Sequence, residues 1–197
     1  MSTDVKTEIA ATAARLVVEE GLEYGPAKHR AVRELGLPSR SPLPDNDLLE
    51  DQVVDYLALF CSDTQPQELQ ALRELALQWM QRLQSFRPHL TGAVWRGTAT
   101  RLSDVHIQLF CDDPKSAELA LIDQGVRYEV HSTKGFKAEP VDVLSIHSLC
   151  PSLHEDIGVH LMIHDLDDLR GALVPDARGR SPRGGIQALR QLLENAA

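Results

Sequence analysis

The spacing of hydrophobic residues changes at Pro88, and that switch constrains the fold more than any other feature of the chain. Upstream of it, apolar residues recur at helical spacing. Val5, Ile9, Ala13, Leu16 and Val17 share one face of a first helix that ends near Gly21 and Gly25. Pro26 suits the first turn of a second helix, which stops at Gly36. The segment from Leu37 to Pro44 carries three prolines and reads as an extended connector. Asp47 with Glu50 has the form of a capping box opening a third helix, striped by Leu49, Val53, Tyr56, Leu57 and Phe60. Thr64 and Gln67 repeat that arrangement for a fourth helix. Its stripe, Leu69, Leu72, Ala76, Trp79 and Leu83, reads as core, buried against a sheet or against a second copy.

Beyond Pro88 the pattern alternates. Asp104 to Phe110 sets polar against apolar residues in the manner of a half-buried strand, and strand-like runs follow at 127–131, 141–147 and 159–164. Residues 114–124 and 185–194 read as helices. A helical lobe over residues 1–87, followed by a small mixed sheet with flanking helices over 88–197, is an α+β organisation.

Composition narrows the class further. Hydrophobic residues make up 43% and charged residues 25%, which excludes a disordered tail, a fibrous repeat and a disulfide scaffold. No apolar run approaches the ~18 residues of a membrane span. The opening residues show neither a basic n-region nor an apolar h-region, and the three cysteines are widely separated. Together these lead to the expectation of a cytoplasmic protein with free thiols. The net charge of −9 is spread evenly, with 14 acids and 9 bases up to Arg87 and 15 and 11 after it. Neither half therefore has the charge of a general polyanion binder. Only the stretch holding Arg178, Arg180 and Arg183 is locally basic, and it reads either as a mobile phosphate clamp or as a solvated loop.

The stretch from Leu90 to Leu109 holds the densest chemistry: a turn at Gly92-Ala93, Arg96-Gly97-Thr98, then Ser103-Asp104-Val105-His106 entering a strand. Glycines at such a turn let backbone N–H groups approach phosphates. Asp104 and His106, two apart on a strand, project from one face and are placed to share a cation. Donors for phosphate and ligands for metal are the parts that phosphoryl transfer requires.

At these residues the chain resembles the nucleotidyltransferase superfamily of the DNA polymerase β type. That family has a glycine followed by a small residue, a short spacer, then an Asp-x-Asp/Glu pair between apolar positions. Here ten residues separate Gly92-Ala93 from Asp104-Val105-His106. The resemblance covers about Pro88 to Asp165. It implies transfer of a nucleoside monophosphate from a nucleoside triphosphate to an unidentified acceptor (small molecule, protein or RNA), with Mg2+ or Mn2+. It also implies nucleotide contacts at Gly92, Ala93, Arg96, Gly97, Thr98 and Ser103, and metal contacts at Asp104, His106 and a third residue. That residue is Asp142 by first choice, as metal ligand and possible catalytic base beside Asp104, and Glu129 by second.

Ala93 and His106 depart from the family pattern. They support an alternative, a catalytically inactive module of the same fold that binds nucleotide or a protein partner. A third reading is a metal-dependent hydrolase using Asp104, His106 and His160. His160 and His164 flank Met162 on one strand face, as a metal pair or as solvated or core histidines. Asp165, Asp167 and Asp168 read as acids opening a helix.

Overall fold

The computed structural model describes residues 2–196. It is mixed α+β, with eight α-helices and a six-stranded sheet among the described residues. The chain divides into two compact units, Met1–Gln67 and Glu68–Ala197.

The first unit holds α1 (Ser2–Glu20), α2 (Tyr24–Glu34) and α3 (Asn46–Phe60). Its core joins Ile9, Ala13 and Leu16 of α1 to Ala27, Ala31 and Val32 of α2, and to Leu49, Val53 and Leu57 of α3. The residues of α1 and α3 belong to the stripes that the helical spacing predicts, except that Phe60, expected with the third-helix stripe, is exposed at the end of α3. The cap of α3 lies two residues earlier than expected. Asp45 occupies the N-cap and its carboxylate accepts from the Leu48 N–H at 2.8 Å. That satisfies one of the amide donors which a helix start leaves unpaired.

The second unit begins within the first turn of α4 (Gln65–Arg82), not at Pro88. The reason is packing: Leu72, Leu75, Ala76, Trp79 and Leu83 are buried in one cluster with the sheet. The fourth stripe thus covers a sheet of the same chain. After α4 come β1 (His89–Thr91), α5 (Gly92–Arg96), β2 (Val105–Cys111), α6 (Lys115–Asp123), β3 (Glu129–Lys134), β4 (Pro140–Cys150), β5 (Glu155–Asp165), α7 (Leu169–Ala172), β6 (Arg183–Gly184) and α8 (Ile186–Ala196).

The strand order is β3-β4-β5-β2-β1-β6. The β2–β5 pair is parallel and all other pairs are antiparallel. One face carries Leu90, Val105, Ile107, Leu109, Leu144, Ile146, Val159 and Leu161 against apolar residues of α4, α6 and α8. Burial of each such side chain contributes about 1.5–3 kcal/mol. The opposite face, which we call the open face, carries His106, Ser145 and His160, and there the candidate chemistry collects.

Two elements differ from the sequence expectation. The turn at Gly92 opens a short helix, α5, and the basic loop ends in β6, which pairs with β1. Among the described residues, no helix is long and apolar enough to cross a membrane.

Candidate functional site

Strand register alone places one row of side chains across the open face. Thr91 lies opposite Arg183 on one side and His106 on the other; His106 pairs with His160, His160 with Ser145, and Ser145 with Glu129. Directly opposed residues point to the same face.

Asp104 enters this row from the residue before β2. Its carboxylate accepts from His160 Nε2 at 2.9 Å and from the Gly158 N–H at 3.2 Å. Glycine at 158 is a steric requirement, because a Cβ there would lie 2.7 Å from the Asp104 carboxyl carbon. The His160 hydrogen bond, aided by the charges of His160 and His106, holds the Asp104 carboxyl below its ordinary value of 3.8 against the opposing effect of burial.

An ionised carboxylate only accepts, so His160 Nε2 carries the proton. In the neutral ring Nδ1 then accepts from the Ser145 hydroxyl at 2.8 Å. Ser145 Oγ also lies 3.3 Å from His131 Nδ1, and the His106 ring stands 5.0 Å from that of His160. The result is a chain of proton-carrying groups, His131–Ser145–His160–Asp104, on the face beside the glycine turn.

The sign of the pH dependence follows from Asp104. A carboxyl whose folded-state value lies below 3.8 stabilises the fold fully above that pH, and the contribution is lost as pH falls through the lower value. The melting temperature of the wild type should therefore fall more steeply on acidification below about pH 4 than that of Asp104→Asn, which has no carboxyl to protonate. Thermal melts from pH 6 to pH 2 read the difference, and parallel curves would contradict the assignment.

The glycine turn sits where the sequence expects it. Gly92 has φ +72°, a left-handed conformation that favours glycine, and its missing Cβ would lie 3.7 Å from His106 Nδ1. The turn and the acidic strand tip therefore flank the same imidazole. The neighbouring expectations fare differently. Gly97 (φ +91°) is the C-cap of α5, beside Arg73, whose guanidinium donates to the carbonyls of Val94 and Trp95 at 3.0 and 3.1 Å. Thr98 is buried, and the Ser103 hydroxyl accepts from the Thr100 N–H at 3.0 Å. These three residues build the loop and do not line the open face. Ala93 is half-buried and Arg96 is exposed, both within α5.

Neither choice for the third acid joins Asp104. Asp142 has the parity of Leu144 and Ile146, so it lies on the helix-covered face, 3.8 Å from Lys115 Nζ of α6. Glu129 is on the open face but on β3, three strand intervals from β2, or about 14 Å at ~4.8 Å per interval. The Asp104–Asp142 metal pair is therefore not formed. His160 occupies the position opposite His106. Among the described residues, no three His, Cys, Asp or Glu side chains are gathered as ligands of a metal ion. His160 and His164 share a face but belong to different groups, with His164 stacked on Phe110 and tilted against Phe136.

Of the three arginines that the sequence offers as a phosphate clamp or a solvated loop, Arg183 lies in β6 beside the glycine turn. It is half-buried in register with Thr91, its guanidinium lies 5.2 Å from the Phe136 ring, and its Nε has no hydrogen-bond partner within the chain. The segment before it is tied down by Trp95 Nε1, which donates to the Ser181 carbonyl at 2.7 Å, and by Thr91 Oγ1, which donates to the Pro182 carbonyl at 3.2 Å. Ser145 and His131 escape a reading of the sequence, because their link to His160 exists only through the pairing of β3, β4 and β5. Comparison of the chain with protein-family models and with curated proteins finds no match.

Proposed function

We propose that the open face binds the phosphates of a nucleoside triphosphate in the manner of the nucleotidyltransferase superfamily. The observation that carries this reading is Arg183: its strand position is in the same row as His106 and His160, one strand away from the Gly92 turn, and its half-buried guanidinium, resting on Phe136, has an unpaired Nε. Guanidinium groups and glycine-turn amides are the usual donors to phosphate oxygens. Asp104, held ionised, supplies one hard oxygen ligand for a magnesium or manganese ion arriving with the nucleotide, since Mg2+ is commonly held by one or two carboxylates plus the phosphates themselves.

The donor set does not fit a two-magnesium centre. It offers one carboxylate and two imidazoles, and imidazole suits zinc, nickel or copper better than magnesium. Nucleotide binding without turnover is thus the reading supported best. A second reading, transfer of a nucleoside monophosphate to an acceptor hydroxyl, is favoured by the Asp104–His160–Ser145 chain, in which an oriented imidazole is available to accept a proton. We place the protein in the cytoplasm, a proposal supported by Cys111 and Cys150 being buried free thiols.

Calorimetry with ATP and magnesium, run beside transfer of label from radiolabelled ATP, separates the two readings. Saturable binding without labelled product supports the binding module. Labelled product that disappears in Asp104→Ala supports transfer. Labelled product undiminished in Asp104→Ala removes this site from either reading.

A further inference from the structure

A second region of the same sheet has the makings of a ligand site. It lies at the opposite ends of β2 and β5, beyond Cys111 and Asp165, about 20 Å from Asp104 at ~3.3 Å per residue. A cavity of about 390 Å3 opens there, within the size range of small-molecule sites. Val141 and Ile163 form its apolar wall.

His164 lines this cavity with only 4% of its surface exposed, and neither ring nitrogen has a hydrogen-bond partner within the chain. Buried polar atoms are nearly always paired, so an imidazole left with both nitrogens open calls for an explanation. Its ring stacks on Phe110 at 5.6 Å and lies tilted against Phe136 at 4.4 Å, contacts that restrict its orientation. Burial lowers its affinity for a proton, which keeps one nitrogen as an acceptor.

The charge of the lining is one-sided. Lys137 Nζ is matched by the buried carboxylate of Asp168 at 2.6 Å, which leaves Glu139, Asp165 and Asp167 without a lysine or arginine among the lining residues. Asp165 and Glu139 each accept one backbone N–H, from Asp167 and Lys137, and a carboxylate has capacity for more. Arg183, outside the lining, also acts on His164 with its charge. Glu139, Asp165, Asp167 and Asp168 outnumber Lys137 and Arg183, however, so the net charge favours a cation over an anion. No cluster of metal ligands is gathered among the described residues.

We propose that this cavity binds a small organic cation, a short alkyl amine or diamine, whose ammonium donates to the open nitrogen of His164 and to the carboxylates at its mouth while its alkyl chain lies on Val141 and Ile163. The site borders on the nucleotide reading at Arg183, whose guanidinium lies 5.2 Å from the Phe136 ring and whose charge acts on His164.

Calorimetric titration of the full chain with 1,4-diaminobutane tests it, with butane-1,4-diol and succinate as the neutral and anionic counterparts. Saturable binding of the diamine alone is expected. His164→Phe, which keeps the stacked ring and removes both nitrogens, should weaken it at least tenfold, and Asp165→Asn, which keeps the turn-capping oxygen, should do likewise. The ring 15N resonances of His164 should shift on addition of the diamine, a readout that does not require either variant to fold. Absence of saturable diamine binding, equal binding of the diol or succinate, unmoved His164 resonances, or wild-type affinity in His164→Phe would overturn the proposal.

Discussion

Phe110→Ala is expected to destabilise the second unit by about 3–5 kcal/mol, the cost typical of deleting a buried aromatic ring. Phe110 has no exposed surface and points away from the helices. There it meets the edge of His89 at 5.5 Å and stacks with His164 and Phe136 at 5.6 and 6.4 Å. The aromatic group packs over this end of the open face, and removing its centre takes a ring contact from both His164 and Phe136. Both tryptophans of the chain, Trp79 and Trp95, lie in the second unit. Denaturant unfolding followed by tryptophan fluorescence therefore reports that unit alone. A loss below about 1 kcal/mol would mean that the cluster does not pack as described.

Gly184→Ala should be nearly as damaging and should also reach the proposed site. An added Cβ would lie 2.1 Å from one carbon of the Trp95 indole and 2.3 Å from the next, far inside van der Waals contact. Trp95 is held by its hydrogen bond to the Ser181 carbonyl, so the ring has no simple retreat. The strain is expected to detach the two-residue β6 from β1 at a cost of about 1–3 kcal/mol. It should also carry Arg183 out of register with Thr91, with at least a tenfold loss in nucleotide affinity. Combining the change with Trp95→Phe, a smaller ring, should restore most of both quantities. Calorimetry with ATP and thermal melts on the single and double variants check this; a single variant that binds like the wild type would contradict the role given to β6.

The parts of the fold legible in the sequence are those whose side chains repeat over several turns or strand residues. α1, α3 and α4 each offer a stripe long enough to declare its period, and β2 alternates from Val105 to Leu109. β1 and β6 have three and two residues, too short to show any period, and they exist because they pair with each other and with β2. The face of Asp142 is illegible for another reason. Val141, Val143, Leu144 and Ile146 are all buried, so apolar residues occupy both faces of β4 and the alternation that would orient the aspartate is erased. Gly92, Asp104 and His106 were readable because they lie close together in the chain. Arg183 and His160 are candidates from residue type alone, but what they face, and that Ser145 joins them, is set by register between strands distant in sequence, which local spacing does not encode.

The central claim is that the open face recognises phosphate through Arg183. Its most direct measurement is the displacement of a fluorescent ATP analogue from the wild type and from Arg183→Met, which keeps the apolar stem and removes the guanidinium. ATP and inorganic triphosphate should displace the analogue from the wild type while adenosine does not, and Arg183→Met should bind the analogue at least tenfold more weakly. Adenosine competing as well as ATP, or unchanged affinity in Arg183→Met, would contradict it.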